Sequence, residues 1–241
     1  MISAQDKSPL NQILVENLVK KYYTRPVLNH LSITIGVGDF CILVGANGAG
    51  KTTLLRILAG LVRPDSGQVH IGDPLEPGAP QIRRMLGYVS HQPMFYQDLT
   101  ALENLQHYAR LYRLQQADDR VTKALQSAGL TRYQHQALRT YSRGMGQRLT
   151  IARALLHDPQ ILLFDEPYTG LDKEAAHFLD QQLKDLHQEG KTILMAAHRP
   201  HRLLNIATHL AWLKDGRIPI HIPIEDIEKH PGLFAYIEES A

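Results

Sequence analysis

The amino-acid sequence predicts an α/β fold: a core with a mainly parallel sheet, an N-terminal antiparallel β part and an inserted α-helical subdomain. Three observations predict it. From residue 40 onward short apolar runs alternate with helical patterns, at Phe40–Val44, 53–59, 161–164, Lys173–Gln188 and Thr192–Ala196, and right-handed crossovers between such elements build parallel sheets. The run Ile161, Leu162, Leu163, Phe164 is apolar throughout, as expected of a strand covered on both faces rather than one. The stretch 95–140 carries helical periodicity with no strand signal, so it reads as a helical insertion. The expected organisation is one domain over 1–241 with a helical subdomain at about 95–158.

Residues 1–11 read as a polar arm. Two alternating strands follow at 13–19 and 31–35, and Gly36, Val37, Gly38 and Asp39 make a turn into the strand at Phe40–Val44. Arg63, Pro64, Asp65, Ser66 and Gly67 stop the next helix. A short strand at 68–71 leads into 72–81, whose prolines and glycines predict a loop with no regular element. Another strand covers 86–90. Thr100 and Glu103 are spaced as a capping box for a helix to about Leu114. A second helix runs from about Asp118 to Ala128 and ends at Gly129. Ser142 suits the N-cap of a third helix to His157, which Asp158 and Pro159 end. Lys173–Gln188 places Ala176, Leu179, Leu183 and Leu186 on one face of a helix. The tail holds a strand pair, 210–213 with 217–220, and a short polar helix near 232–239.

The chemistry starts at Gly45, Ala46, Asn47, Gly48, Ala49, Gly50, Lys51 and Thr52, with Thr53 following. The spacing G-x-x-x-x-G-K-T between a strand and a helix is that of a phosphate-binding loop. Glycines let backbone N–H groups turn inward around a phosphate, and the helix that begins there favours an anion with its free amides and dipole. Lys51 can reach the β- and γ-phosphates, and the Thr52 hydroxyl can ligate Mg²⁺. Asp165 ends a buried strand, where open α/β sheets bind ligands, so its carboxylate can hold Mg²⁺ beside Thr52. Glu166 next to it can deprotonate a water for in-line attack on the γ-phosphate. Adjacent carboxylates at a strand end can also serve as helix-terminal charges. Tyr22, with Tyr23 as runner-up, can stack on an adenine ring or be a half-buried strand aromatic.

Composition narrows the partners. The net charge of +2 over 241 residues is too small to make nucleic acid the principal partner. One cysteine, Cys41, inside an apolar run excludes a disulfide framework and a cysteine-based metal site, and reads as a small core residue. No run reaches bilayer-spanning length, and the first ten residues lack the apolar stretch of a signal peptide. A soluble or peripheral chain is expected.

With these residues in view the chain resembles the ATP-binding subunit of an ATP-binding-cassette (ABC) transporter, over about 13–218. The phosphate loop is 45–52. The family's signature, usually Leu-Ser-Gly-Gly-Gln, corresponds to Tyr141, Ser142, Arg143, Gly144 and Met145. The Asp-Glu pair is Asp165 and Glu166, the following loop ends in Gly170, Leu171 and Asp172, the switch histidine is His198, and the glutamine joining core to helical subdomain is Gln92. The resemblance implies a P-loop NTPase core that binds ATP and Mg²⁺ and hydrolyses ATP. It implies Tyr22 at the base, Thr52, Gln92 and Asp165 at the metal, and Glu166, His198, Gln92 and Lys51 in catalysis. It also implies a head-to-tail dimer, with itself or a similar cassette, in which Ser142 and Gly144 face the γ-phosphate held by the other subunit. Integral membrane permease subunits, a peripheral position on the cytoplasmic face of the cell membrane and no nucleic-acid partner belong to the same expectation.

The signature departs from the usual residues at Tyr141, Arg143 and Met145 but keeps Ser142 and Gly144, so hydrolysis is expected to survive. A narrower resemblance lies in Val89, Ser90, His91, Gln92 and Pro93, in the stretch 99–105 and in 141–145, which look like the ATPase subunit of the haem exporter of cytochrome c maturation. The alternatives are the ATPase of another small exporter, for drugs, ions or polysaccharides, and a non-transport cassette acting on nucleic acid or ribosomes.

Overall fold

The computed structural model describes residues 13–72, 80–90 and 94–239. Strand β1 (Ile13–Tyr22) pairs antiparallel with β2 (Arg25–Ile35) on one side and, after β3 (Phe40–Val44) and α1 (Lys51–Leu58), with β4 (Ser66–Ile71) on the other, giving the order β2-β1-β4. In β1 the buried positions change parity, from Ile13 and Val15 to Leu18. The cause is a register shift between Val15 and Leu18, where Asn17 takes φ 49°; one extra residue moves the side chains after it to the other face. β2 starts six residues before the expected 31–35. Pro26 and the polar residues around it mask it in the sequence, but β2 is an edge strand, where proline is tolerated.

The second sheet joins β3 to β5 (Leu86–Val89), β6 (Ile161–Asp165), β7 (Thr192–Ala196), β8 (His209–Lys214) and β9 (Arg217–Pro223), in the order β5-β6-β7-β3-β8-β9. The first five in that order run parallel, and β9 closes antiparallel on β8. Every residue of β3, β6 and β7 is buried, because both faces are covered. One face carries α1 and the first sheet, with Leu43, Leu54, Leu58 and Leu163 in a common cluster. The other carries α6 (Lys173–Gln188) and α7 (Pro231–Glu239), with Ile42, Phe164, Leu179, Leu183 and Leu233 in contact. Each such side chain, fully buried, contributes roughly 1.5–3 kcal/mol. Cys41 is part of this core, and burial pushes its thiol well above the ordinary range. The helix expected at the tail as polar instead buries Leu233 and Ile237.

Of the expected loop 72–81, residues 73–79 lie outside the described residues, and Pro80 and Gln81 already belong to a short helix, α2 (Pro80–Met85). Proline suits a first helical turn, since its missing N–H would be unpaired there anyway. Between β5 and β6 lie α3 (Ala101–Leu111), α4 (Ala117–Ser127) and α5 (Arg143–Leu155), with one isolated bridge, Thr100 to Ala137, as the β pairing among the described residues. The capping box forms: Thr100 Oγ1 accepts from the Glu103 amide at 3.2 Å, and Glu103 Oε2 accepts from the Thr100 amide at 2.8 Å. Asn104, fully buried, donates to the Tyr96 and Thr100 carbonyls and accepts from the Tyr96 amide, fixing the entry to α3. Leu105, Val121, Leu125, Leu130 and Leu149 give these helices their own core. Among the described residues no helix is long and apolar enough to cross a membrane.

Candidate nucleotide site

Strand order assembles the site. β7 lies between β3 and β6, with Leu43 opposite Ala196 and Ala196 opposite Asp165. The carboxyl ends of the three strands therefore align, and each runs into one predicted element: the 45–52 loop, Asp165 with Glu166, and Ala197 with His198. Gly50 turns the loop into α1 at φ 112°, and a Cβ there would sit 2.8 Å from Leu28 Cδ2 and 3.0 Å from the Val27 carbonyl oxygen, so only glycine fits.

Lys51 folds back over the loop. It is 4% exposed, donates from Nζ to the Gly45 carbonyl at 2.7 Å and the Ala46 carbonyl at 3.3 Å, and lies 3.6 Å from Glu166 Oε1. Burial lowers its pKa, and the Glu166 carboxylate opposes that shift. The next residue reaches β6: Thr52 Oγ1 donates to Asp165 Oδ1 at 2.9 Å, and Tyr88 OH donates to Asp165 Oδ2 at 3.4 Å. Asp165 is 2% exposed, and burial above all raises its pKa, with the Thr52 hydrogen bond opposing and the charge of Glu166 adding to the rise. Burial, reinforced by the Asp165 charge, pushes the Tyr88 phenol up to about 12.

A hydroxyl and a buried carboxylate oxygen 2.9 Å apart are hard oxygen donors of the kind Mg²⁺ takes, and Mg²⁺ sites commonly use one or two carboxylates plus substrate phosphates. The donor set fits that ion. Glu166 leaves the strand at φ 52°, outside the usual range for a side-chain-bearing residue, and its amide donates to the Ala196 carbonyl at 3.1 Å. Its Oε1 lies 3.3 Å from His198 Nε2. Thus Lys51, Thr52, Asp165, Glu166 and His198 form one connected group.

The other expected residues sit apart from it. Ser142 is exposed and caps α5, its Oγ accepting from the Met145 amide at 3.2 Å, with Gly144 in the first turn. Tyr22 ends β1, is 44% exposed, and has the Lys20 ammonium 5.6 Å from its ring centre. Tyr23 is fully exposed at φ 56° in the hairpin turn. Asp172 caps α6 by accepting from the Ala175 amide at 2.8 Å. Gln92 lies outside the described residues. Sequence reasoning missed Arg56 and Tyr88, which share a cleft of about 530 Å³ with Thr52, Asp165 and Glu166. Arg56 could have been found four residues after Thr52 on one helix face. Tyr88 could not, because its approach to Asp165 depends on β5 pairing with β6.

The ABC transporter family profile matches residues 28–169. A Nod factor export ATP-binding protein I from Cupriavidus metallidurans is 39% identical over 206 residues, which cover 84% of this chain and 68% of that protein. A bacitracin transport ATP-binding protein from Bacillus licheniformis is 34% identical over 219 residues, 90% and 71% of the two chains. Among solved structures, an ATP-binding subunit of an ABC transporter superposes with a TM-score of 0.84 at 29% identity, covering 95% of this chain and 98% of that one. A dimeric ATP-binding cassette in a post-hydrolysis state, bound to ADP and Pi, superposes with a TM-score of 0.80 at 29% identity, covering 88% and 98%. The expectation of haem export draws no support from these relatives.

Proposed function

The chain belongs to the ABC transporter family and is an ATP-binding, ATP-hydrolysing cassette, and from that premise we propose that it energises export through separate integral membrane permease subunits, at the cytoplasmic face of the cell membrane. The names of its relatives, Nod factor export and bacitracin transport, favour an exporter other than the haem exporter of cytochrome c maturation. The observation that carries the reading is the group at the strand ends, where Thr52 bonds Asp165 while Glu166 lies within 3.6 Å of Lys51 and 3.3 Å of His198.

In this reading the amides of 45–53 and the Lys51 ammonium bind the β- and γ-phosphates, and Tyr22 stacks on the adenine. Thr52 and Asp165, together with Gln92, would hold Mg²⁺, which supplies charge neutralisation at the phosphates. A γ-phosphate entering the loop competes with Glu166 for Lys51. Drawing the ammonium away frees the carboxylate to take a proton from the attacking water. His198 then bridges Glu166 and the γ-phosphate. Ser142 and Gly144, at the amino end of α5, donate to the γ-phosphate of a second cassette, a copy or a close relative, packed head to tail; dimeric cassettes among the similar solved structures support this. Residues 95–158 act as a helical subdomain of a single cassette over 1–241, and nucleic acid plays no part.

The test is affinity purification from native membranes in mild detergent, with co-purifying proteins identified by mass spectrometry. A polytopic membrane permease is expected. Recovery of a haem-handling subunit would restore the haem assignment, and recovery of ribosomes or DNA-bound proteins with no membrane partner would overturn the transport reading.

A further inference from the structure

The geometry points to Arg143 as a positioning residue that clamps the loop carrying Glu166 to the first turn of α5. The inference rests on the reading of Glu166 as the base. Arg143 is the first residue of α5, and its guanidinium lies flat against Gly170. A Cβ at Gly170 would sit 2.2 Å from the Arg143 Cζ and Nη1 and 2.6 Å from its Nε. Gly170 also has φ 71°, a backbone conformation that residues with a side chain rarely adopt. Among the described residues Arg143 enters no ion pair. Its guanidinium instead covers the space that a side chain at Gly170 would fill, a fit suited to a planar group and not to an ammonium.

The loop transmits that contact. Glu166 accepts from the Thr169 amide at 3.2 Å and Tyr168 accepts from the Leu171 amide at 3.1 Å, so two overlapping turns join Glu166 to Gly170. Glu166 itself stands at φ 52° and needs its surroundings to hold it there. A second contact braces the same junction: a Cβ at Gly144 would lie 3.0 Å from the Ala175 Cβ, so the first turns of α5 and α6 abut. Ser142 and Arg143 share a recess of about 190 Å³ with Glu166, Pro167 and Thr169. The turn of α5 proposed to meet the partner's γ-phosphate is therefore tied, within one chain, to that chain's own Glu166. The usual signature glycine at this position could make no such link.

The test uses the purified chain, with its permease where that is recovered, and follows phosphate release and fluorescent-ATP binding. Arg143→Ala is expected to lower kcat about 10-fold, a loss typical of a misplaced catalytic group, with ATP affinity unchanged within about 2-fold. Arg143→Lys is expected to do no better. In a Glu166→Gln background Arg143→Ala is expected to add nothing, since it acts through Glu166. Gly170→Ala, checked for folding by its melting curve, should reproduce the kcat loss by displacing the guanidinium. An unchanged kcat for Arg143→Ala, full rescue by Arg143→Lys, or an additive loss on top of Glu166→Gln each overturns the clamp. Full turnover by Glu166→Gln alone fails the base assignment instead, and so identifies which of the two readings is wrong.

Discussion

The two parts of the candidate site are built in opposite ways. At the strand ends, Lys51 is 4% and Asp165 2% exposed; Lys51 is held by the loop carbonyls of Gly45 and Ala46, and Asp165 by Thr52 of α1 and Tyr88 of β5. At the amino end of α5, Ser142 and Arg143 are exposed, and Ser142 is held by one capping bond. Core packing over-determines the first part. The second stands at the surface, with Arg143 against Gly170 and Gly144 against Ala175 within the same chain. On the proposed reading the difference locates control: the groups at the ends of three buried strands come preassembled, and a partner approaching α5 would decide when they work. It also teaches that preassembly has a cost, because Asp165 is a carboxylate kept where burial disfavours its charge.

The largest expected effect tests the strand-end part directly. Glu166→Gln keeps the shape of the side chain and its place beside Lys51 and His198 but cannot accept a proton. Turnover is expected to fall about 10²- to 10⁴-fold, the range general-base loss spans, while ATP binding persists and an ATP-bound dimer accumulates on size-exclusion chromatography. Turnover at the wild-type rate would remove the proton acceptor from the strand ends, and the contrast with α5 would lose its basis.

Next in size is the cost of burying Asp165. Its pKa in the folded chain is raised above the ordinary 3.8, so the favourable contribution of this group belongs to acid conditions and is lost as pH rises through the raised value. At neutral pH the wild-type chain carries the penalty. Asp165→Asn removes it, and its Oδ1 can still accept from Thr52. The melting temperature of the variant is expected to exceed that of wild type at pH 7, with the gap closing as the pH is lowered through the Asp165 pKa, while ATP turnover is lost. A lower melting temperature at pH 7 would mean that Thr52 and Tyr88 already repay the burial in full.

The same contrast governs what could be read from the sequence. β3, β7 and α6 follow their predicted bounds, because continuous apolar runs and a 3.6-residue period leave one way to bury them. β2 was readable only in its second half, since an edge strand tolerates Pro26 and polar residues that a central strand would not. α2 was hidden by the proline that starts it. In the site, the loop 45–52 and the Asp165–Glu166 pair announce themselves as local motifs. Tyr88 does not, for its approach to Asp165 exists only once β5 lies beside β6. The Arg143–Gly170 contact is hidden for the same reason: 27 positions separate the two residues, and no periodicity links them.

The smallest expected effect lies at the hairpin end, outside both parts. β2 passes under the phosphate loop, where Val27 and Leu28 meet Gly50, and Tyr22 pairs with Arg25 a few residues away on the same hairpin. A ring 44% exposed, with one cation nearby, can offer a base a face but little enclosure. Tyr22→Ala is expected to weaken ATP binding about 5-fold, roughly the 1 kcal/mol lower end of base–aromatic stacking. Because every base has a π-face, GTP should weaken by the same factor, leaving the ratio of the two affinities unchanged in parallel fluorescent-nucleotide titrations. Tyr23→Ala should do nothing, since that ring points into solvent from the turn. A larger loss for Tyr23→Ala than for Tyr22→Ala would move the base contact one residue along the hairpin, and a changed ATP-to-GTP ratio would mean that Tyr22 reads the base edge rather than its face.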